Sequence, residues 1–337
     1  MKKSIIKGIG HYVPENIVTN DDLSKVMDTN DEWIQERTGI KERRHLGKHS
    51  GVTTSDLGTK AAEIAIKNAG LTAKDIDFIL FATLSPDYFF PGCGVILQKN
   101  LGCDTVGALD VRNQCSGFIY ALATADAYIK AGIYKNILVV GAENHSFGLD
   151  MTTRGRGVSV IFGDGAGAVV VSATDEENRG IVSFNMHSEG EHAEELAVQF
   201  PGTKLGWSDV MLEEGNTLTP EQIYPYMNGN FVFKHAVTRF PESVKEAFEK
   251  SGESISDLKL FIPHQANLRI SQFVQRQLGL KDEQVFNNIQ KYGNTTAASI
   301  PIALSEAFQE GRIQKGDLIC LTAFGSGFTW GSVLLRW

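Results

Sequence analysis

Four stretches of the chain carry residues that could do covalent chemistry together. They are Asn113-Gln114-Cys115-Ser116-Gly117, Pro263-His264-Gln265, Tyr292-Gly293-Asn294-Thr295 and Phe324-Gly325-Ser326-Gly327. A strand-like run over 105–111 ends in polar residues just before Cys115, and a helical pattern over 116–132 begins just after it. A cysteine at the first turn of a helix meets unpaired backbone N–H groups and the positive end of the helix dipole. Both favour the thiolate, which is the nucleophilic form. His264 follows a buried-strand pattern directly, and Asn294 stands beside a glycine at a helix start. The glycine-rich loop offers backbone N–H groups that could face an oxyanion. Taken singly, these are a buried thiol, a capped histidine, an N-cap asparagine and a tight turn. Their joint presence argues for one site.

Alternating strands and helices must position them. Residues 4–9 read as a strand, 54–69 as an amphipathic helix stopped by Gly70, and 78–83 as a continuous apolar strand of the kind covered on both faces. Residues 136–141, 158–162 and 169–171 read as further strands. The cluster Gly163-Asp164-Gly165-Ala166-Gly167 lacks the lysine and Ser/Thr of a phosphate loop and reads as a strand-to-strand turn. Residues 175–230 read as irregular. His187, Glu189, Glu191 and His192 fall within them at a spacing that fits no helical metal motif.

The pattern then repeats. A helix over 241–252 and a strand over 258–262 echo 54–80, and 299–322 echoes 119–141. Laying Gly132 on Gly311 places Cys115 on Asn294. Two similar α/β halves, 1–174 and 175–337, follow from this, with active residues at equivalent strand ends in the crevice between them.

Bulk properties narrow the function. The 337 residues are 42% hydrophobic and 21% charged, with a formal net charge of −8. This is the composition of an ordinary globular protein without the basic footprint of general nucleic-acid binding, so an acidic partner would need a local basic patch. The four cysteines show neither a zinc spacing nor a disulfide framework. No apolar run approaches a membrane span and none resembles a signal peptide, so a cytoplasmic protein is expected.

The set QCSGF, FGDGAGA, PHQANLRI, YGNTTAASIP and AFGSGFTWGS resembles the condensing enzymes of the thiolase fold, and most closely the β-ketoacyl-acyl carrier protein synthase III family. The resemblance implies an α/β thiolase fold, with duplicated five-stranded mixed sheets in αβαβα layers. It implies that Cys115 is acylated by an acyl-CoA, and that His264 and Asn294 hold the malonyl thioester carbonyl as CO₂ leaves. It also implies that the backbone N–H groups of Cys115 and Ser326 form a second oxyanion hole. Trp33 and Arg156 match positions that sandwich the CoA adenine, and Arg37 and Asn267 line the path of the pantetheine and phosphates. Arg154, two residues from Arg156, competes for the phosphate role. Lys234, Arg269 and Arg276 match a basic surface that docks the acidic carrier protein. Phe90 matches the residue that a partner subunit of a homodimer inserts to cap the acyl pocket. No cofactor and no metal are implied, only acyl-CoA as substrate.

A large residue at Phe90 favours a short primer, acetyl-CoA. Arg112-Asn113-Gln114 departs from the small residues usual before the nucleophile, so a specialised relative using medium-chain acyl-CoA or another acyl acceptor stays open. A biosynthetic thiolase would carry a second catalytic cysteine near the C-terminus, whereas Cys320 falls inside a strand pattern. A non-catalytic partner of a condensing heterodimer would have lost the nucleophile that is present here.

Overall fold

The computed structural model describes residues 2–47, 49–205 and 218–337. Residues 206–217, part of the segment read as irregular, lie outside the described residues.

Nine strands and seven helices position the site. The strands are β1 (Lys3–Tyr12), β2 (Phe78–Ala82), β3 (Gly107–Val111), β4 (Asn136–Glu143), β5 (Gly165–Thr174), β6 (Gly180–Ser188), β7 (Leu258–Pro263), β8 (Leu318–Gly325) and β9 (Thr329–Arg336). The helices are α1 (Asp31–Thr38), α2 (Thr54–Asn68), α3 (Cys93–Leu101), α4 (Gly117–Lys130), α5 (Gly229–Ser251), α6 (Leu268–Leu278) and α7 (Ser299–Gln309).

The first sheet has the order β1-β5-β4-β2-β3, with β2 parallel to β3 and β4 and the other pairs antiparallel. The second has the order β7-β8-β9-β6, with only β7 and β8 parallel. Strand for strand, β2, β4, β5 and β1 correspond to β7, β8, β9 and β6. The fifth position of the second sheet, equivalent to β3, is reduced to a single parallel bridge between Phe261 and Val285.

Layering follows from where apolar side chains sit. β2 is buried at every residue, as a strand covered on both faces must be. α2 begins at a capping box between Thr53 and Asp56 and lays its alanine-rich face on the first sheet. α4 and α7 are apolar on most of their circumference and fill the space between the sheets. α5 covers the far side of the second sheet, and Ile270 and Val274 of α6 join the same core with Phe261 and Cys320. The core between the sheets joins Phe118 and Leu122 of α4 with Val139 and Val169 of the first sheet, Ile300 and Leu304 of α7, and Ile319 and Val333 of the second sheet. This is the expected αβαβα order.

Four local readings need correction. Residues 158–162 are not a strand; a short helix, Arg156–Ser159, precedes irregular backbone that touches the second half through a bridge from Phe162 to Asn294. The glycine cluster is mostly not a turn, since Gly165 and Gly167 lie inside β5. A Cβ on Gly167 would stand 2.7 Å from Cβ of Pro301, so glycine there admits the close approach of α7.

The segment 175–230 is not irregular throughout, because it contributes β6. The α5-facing side of β6 carries Ser183 and Asn185, which bond to the Ala247 carbonyl (2.6 Å) and to the Ser243 carbonyl (2.8 Å) of α5. A strand whose buried face is polar hides its apolar alternation. α5 also starts at Gly229, earlier than expected, and runs through Pro241. Burial of Ala236, Phe240 and Val244 offsets the hydrogen bond that proline removes.

Candidate active site

The site lies where the parallel strands of both sheets end. Cys115 follows β3, His264 follows β7, and Asn294 follows the Val285 bridge that stands in for a third such strand. The turn bearing Cys115 packs against β8 and against the turn Thr296–Ala298, which opens into α7. All three side chains are buried. The alignment of Cys115 with Asn294 is visible in the backbone, since the residues just before them, Gln114 and Gly293, both have positive φ (44° and 62°).

Cys115 is held under the loop after β8. A Cβ added to Gly325 would stand 2.7 Å from the Cys115 Cβ and 3.1 Å from its Sγ, so no side chain fits at Gly325. The Ser116 hydroxyl meets the Thr329 hydroxyl at 2.6 Å, and Thr329 in turn donates to the Ser326 carbonyl at 3.1 Å. The N–H groups of Cys115 and Ser326 both point at the sulfur and lower its pKa. Burial and the nearby Glu143 carboxyl outweigh them and push the thiol up to about 12. The resting nucleophile is therefore a thiol, contrary to the thiolate expected from its place at a helix start.

His264 is anchored at its backbone, where its N–H donates to the Thr322 carbonyl (2.8 Å). Its Nδ1 lies 2.6 Å from the Ser299 hydroxyl, and its Nε2 is buried with no partner. Burial depresses its pKa to about 3, so the ring is neutral. Asn294 is held from both sides, its N–H on the Ile161 carbonyl (2.8 Å) and its carbonyl accepting from Gly163 (3.1 Å). Its Oδ1 accepts from the Thr296 N–H at 2.8 Å, which leaves the amide NH₂ as the outward donor. A thiol under two N–H groups, a neutral imidazole with an unpartnered Nε2 and an amide fixed at its Oδ1 thus stand on elements that pack against one another.

A 310 Å³ pocket opens beside this site and is lined by Trp33, Arg37, Val160, Phe233, Asn267 and Arg269 among others. Asn267 ties it together by capping α6 at the Arg269 N–H (2.9 Å) and donating to the Arg37 carbonyl (2.8 Å). The guanidiniums of Arg37 and Arg156 stand 4.4 and 5.3 Å from the Trp33 ring centre. An adenine stacked between Trp33 and Arg156 needs about 7 Å, twice a carbon contact distance, so one of them must move to admit it. Arg154 is turned away onto Asp150 (2.7 Å). Lys234, Arg269 and Arg276 are exposed on α5 and α6, which pack against each other. Phe90 is 81% exposed, so its ring closes no cavity in its own chain.

Sequence reasoning passed over Thr296, Ser299, Glu143 and His145. The first two lie inside YGNTTAASIP, where a hydroxyl beside each catalytic candidate was the available signal. Glu143 ends β4 and His145 lies two residues beyond it, and no motif marks either.

The paired sheets and the polar groups at their strand ends define a thiolase-fold acyltransferase of the condensing type. Residues 109–190 match the family model for 3-oxoacyl-[acyl-carrier-protein (ACP)] synthase III, and residues 248–337 match the model for its C-terminal part. Beta-ketoacyl-[acyl-carrier-protein] synthase III of Campylobacter jejuni is 47% identical over 337 residues, covering 100% of this chain and 98% of the relative. The corresponding protein of Brucella canis is 42% identical over the full length of both chains. The crystal structure of 3-oxoacyl-[acyl-carrier-protein] synthase III from Aquifex aeolicus superposes with a TM-score of 0.89 at 44% identity, covering 99% of this chain and 100% of that one. The chain belongs to the β-ketoacyl-acyl carrier protein synthase III family.

Proposed function

We propose that the chain condenses a short acyl-CoA primer, acetyl-CoA in the favoured reading, with malonyl-acyl carrier protein. The products are 3-oxoacyl-acyl carrier protein, CoA and CO₂, and the step initiates fatty acid synthesis. The observation that carries this reading is the unpartnered, buried Nε2 of neutral His264, together with an Asn294 amide whose Oδ1 is held by the Thr296 N–H.

In the first half-reaction the Cys115 sulfur attacks the acyl-CoA carbonyl. The tetrahedral oxyanion rests on the N–H groups of Cys115 and Ser326, and the thiol proton leaves with CoA. Malonyl-acyl carrier protein then enters and loses CO₂. The electron pair left on the α-carbon delocalises onto the thioester oxygen, which takes hydrogen bonds from His264 Nε2 and the Asn294 amide. Two neutral donors suit a developing enolate, and decarboxylation makes a strong base unnecessary. The carbanion attacks acyl-Cys115, the same N–H pair holds the new oxyanion, and the expelled thiolate regains a proton from solvent.

Residues 1–174 supply the nucleophile in this reading, and 175–337 supply His264 and Asn294. Trp33, Arg37, Arg156 and Asn267 bind CoA, while Lys234, Arg269 and Arg276 dock the carrier protein. A second copy is proposed to cover β3, whose outer edge is unpaired and bears exposed Leu109, with exposed Tyr88, Phe89 and Phe90 nearby in the chain. Its Phe90 would then cap the acyl pocket. No helix among the described residues is long and apolar enough to cross a membrane, and all four cysteines are free and buried, which supports a cytoplasmic enzyme.

Intact mass after incubation with acyl-CoAs from acetyl to dodecanoyl tests the primer. An acetyl adduct supports the initiating role, an adduct only with octanoyl or longer chains replaces it with a specialised condensation, and no adduct with any of them refutes catalysis.

A further inference from the structure

Thr296 is one of two non-glycine residues with positive φ among the described residues, at +48°. For a β-branched residue this backbone is costly, and it persists only where its surroundings enforce it. Its own N–H is the group that fixes Oδ1 of Asn294. The amide of Asn294 is therefore aimed by a strained neighbour, and what enforces the strain lies in the other half of the molecule.

The Thr296 hydroxyl lies 2.7 Å from Nε2 of His145, just beyond the end of β4. The next N–H, of Ala297, is taken by the buried carboxyl of Glu143. Gly141 gives the turn room, since a Cβ there would stand 2.3 Å from the Ala297 carbonyl oxygen. His145 is itself fixed. Its N–H donates to Asp164 (2.7 Å), and its ring packs on Phe162 (4.8 Å between centres), the residue bridged to Asn294. Burial holds its pKa down to about 4, so it meets Thr296 as a neutral hydrogen-bonding ring rather than as a charge.

We propose that His145 and Thr296 are positioning residues for condensation. The His145 imidazole holds the Thr296 hydroxyl, which keeps the Thr296 N–H on Asn294 Oδ1 and turns the Asn294 amide NH₂ toward the malonyl thioester. The inference rests on the reading of Asn294 as an enolate-stabilising donor.

The test separates the two half-reactions in the full-length enzyme. Thr296→Val should slow decarboxylation of malonyl-acyl carrier protein by about 100-fold, the scale of a displaced catalytic group. KM for malonyl-acyl carrier protein and acetylation of Cys115 by acetyl-CoA should be unchanged. Thr296→Ser should restore the rate. His145→Leu should match Thr296→Val, and the double variant should be no slower than either. If Thr296→Val does not fold, Thr296→Ala keeps Cβ and lacks only the hydroxyl and methyl, and it should show the same loss. Wild-type decarboxylation in the Val or Ala variant would overturn the proposal, as would equal loss of acetylation. Asn294→Ala is the control: if it decarboxylates normally the reading of the site fails, whereas if it alone is impaired only the roles of His145 and Thr296 fail.

Discussion

The Ser299 hydroxyl lies 2.6 Å from Nδ1 of His264 and is that imidazole's sole hydrogen-bond partner among the described residues. When the hydroxyl donates to Nδ1, the ring proton sits on Nε2, where an enolate oxygen needs it. Ser299→Ala should lower the decarboxylation rate by about tenfold or more, as loss of a group that orients a catalytic ring does. Acetylation of Cys115 should persist. Equal rates in the variant and the parent, followed by CO₂ release, would contradict this role.

Glycine at 325 should be indispensable to the first half-reaction. With a Cβ 2.7 Å from the Cys115 Cβ, Gly325→Ala must displace either the nucleophile or the loop carrying the Ser326 N–H. Acetyl transfer should fall by about 100-fold, since displacements of 1 Å have that effect. Ser326→Gly should stay near the parent rate, because only the backbone of Ser326 acts. The acetylation rate of each variant, measured by quenched-flow mass spectrometry, checks both.

Burial keeps His264 neutral in the fold, with its pKa lowered from 6.5 to about 3. Between these values the unfolded chain binds a proton that the native state refuses. Its contribution to stability is therefore complete above pH 6.5 and is lost as pH falls toward 3. His145, lowered to about 4, acts in the same direction. Glu143, raised to about 7, acts oppositely, with stability lost as pH rises from 4.5 to 7. The urea midpoint of His264→Asn should thus fall less steeply than that of the parent between pH 6.5 and 4. Decarboxylation by the parent should show no titration near 6.5. Parallel urea profiles would contradict the buried neutral ring.

The two substrates should separate on the surface. Trp33→Ala should raise KM for acetyl-CoA about tenfold, the effect of one lost stacking contact of about 1 kcal/mol or more, and leave a short pantetheine-free thioester unaffected. Arg276→Glu should raise KM for malonyl-acyl carrier protein, most strongly at low salt, without changing use of malonyl-CoA. Steady-state kinetics with the paired substrates decide both.

The duplication was legible because it is written in apolar runs and glycines. Gly132 and Gly311 both end helices at positive φ (75° and 70°), and aligning them brings Cys115 onto Asn294 from the sequence alone. Cys115 and His264 each stand where a strand pattern stops, and Asn294 is marked by a glycine at a helix start and by its alignment with Cys115. The α5-facing side of β6 was not legible, because Ser183 and Asn185 satisfy their polarity through α5 and leave no alternation to read. The start of α5 was obscured by Pro241, whose local cost is met by burial that only the tertiary structure reveals. The protonation of Cys115 is not legible from its helix position, which is local, whereas desolvation and the Glu143 carboxyl come from distant parts of the chain. His145 and Thr296 were invisible for a related reason: their contact spans the two halves.

The most direct test of the account is the fate of Cys115, His264 and Asn294 variants in separated half-reactions. Each enzyme is incubated with acetyl-CoA and weighed intact, and release of CO₂ from malonyl-acyl carrier protein is then followed. Cys115→Ala should carry no acetyl group and form no 3-oxoacyl product. His264→Ala and Asn294→Ala should be acetylated like the parent yet slowed by about 100-fold or more in CO₂ release, the scale of a lost oxyanion donor. Full condensation by Cys115→Ala, or loss of acetylation together with unimpaired CO₂ release in the His264 and Asn294 variants, would contradict the division of labour between the two halves.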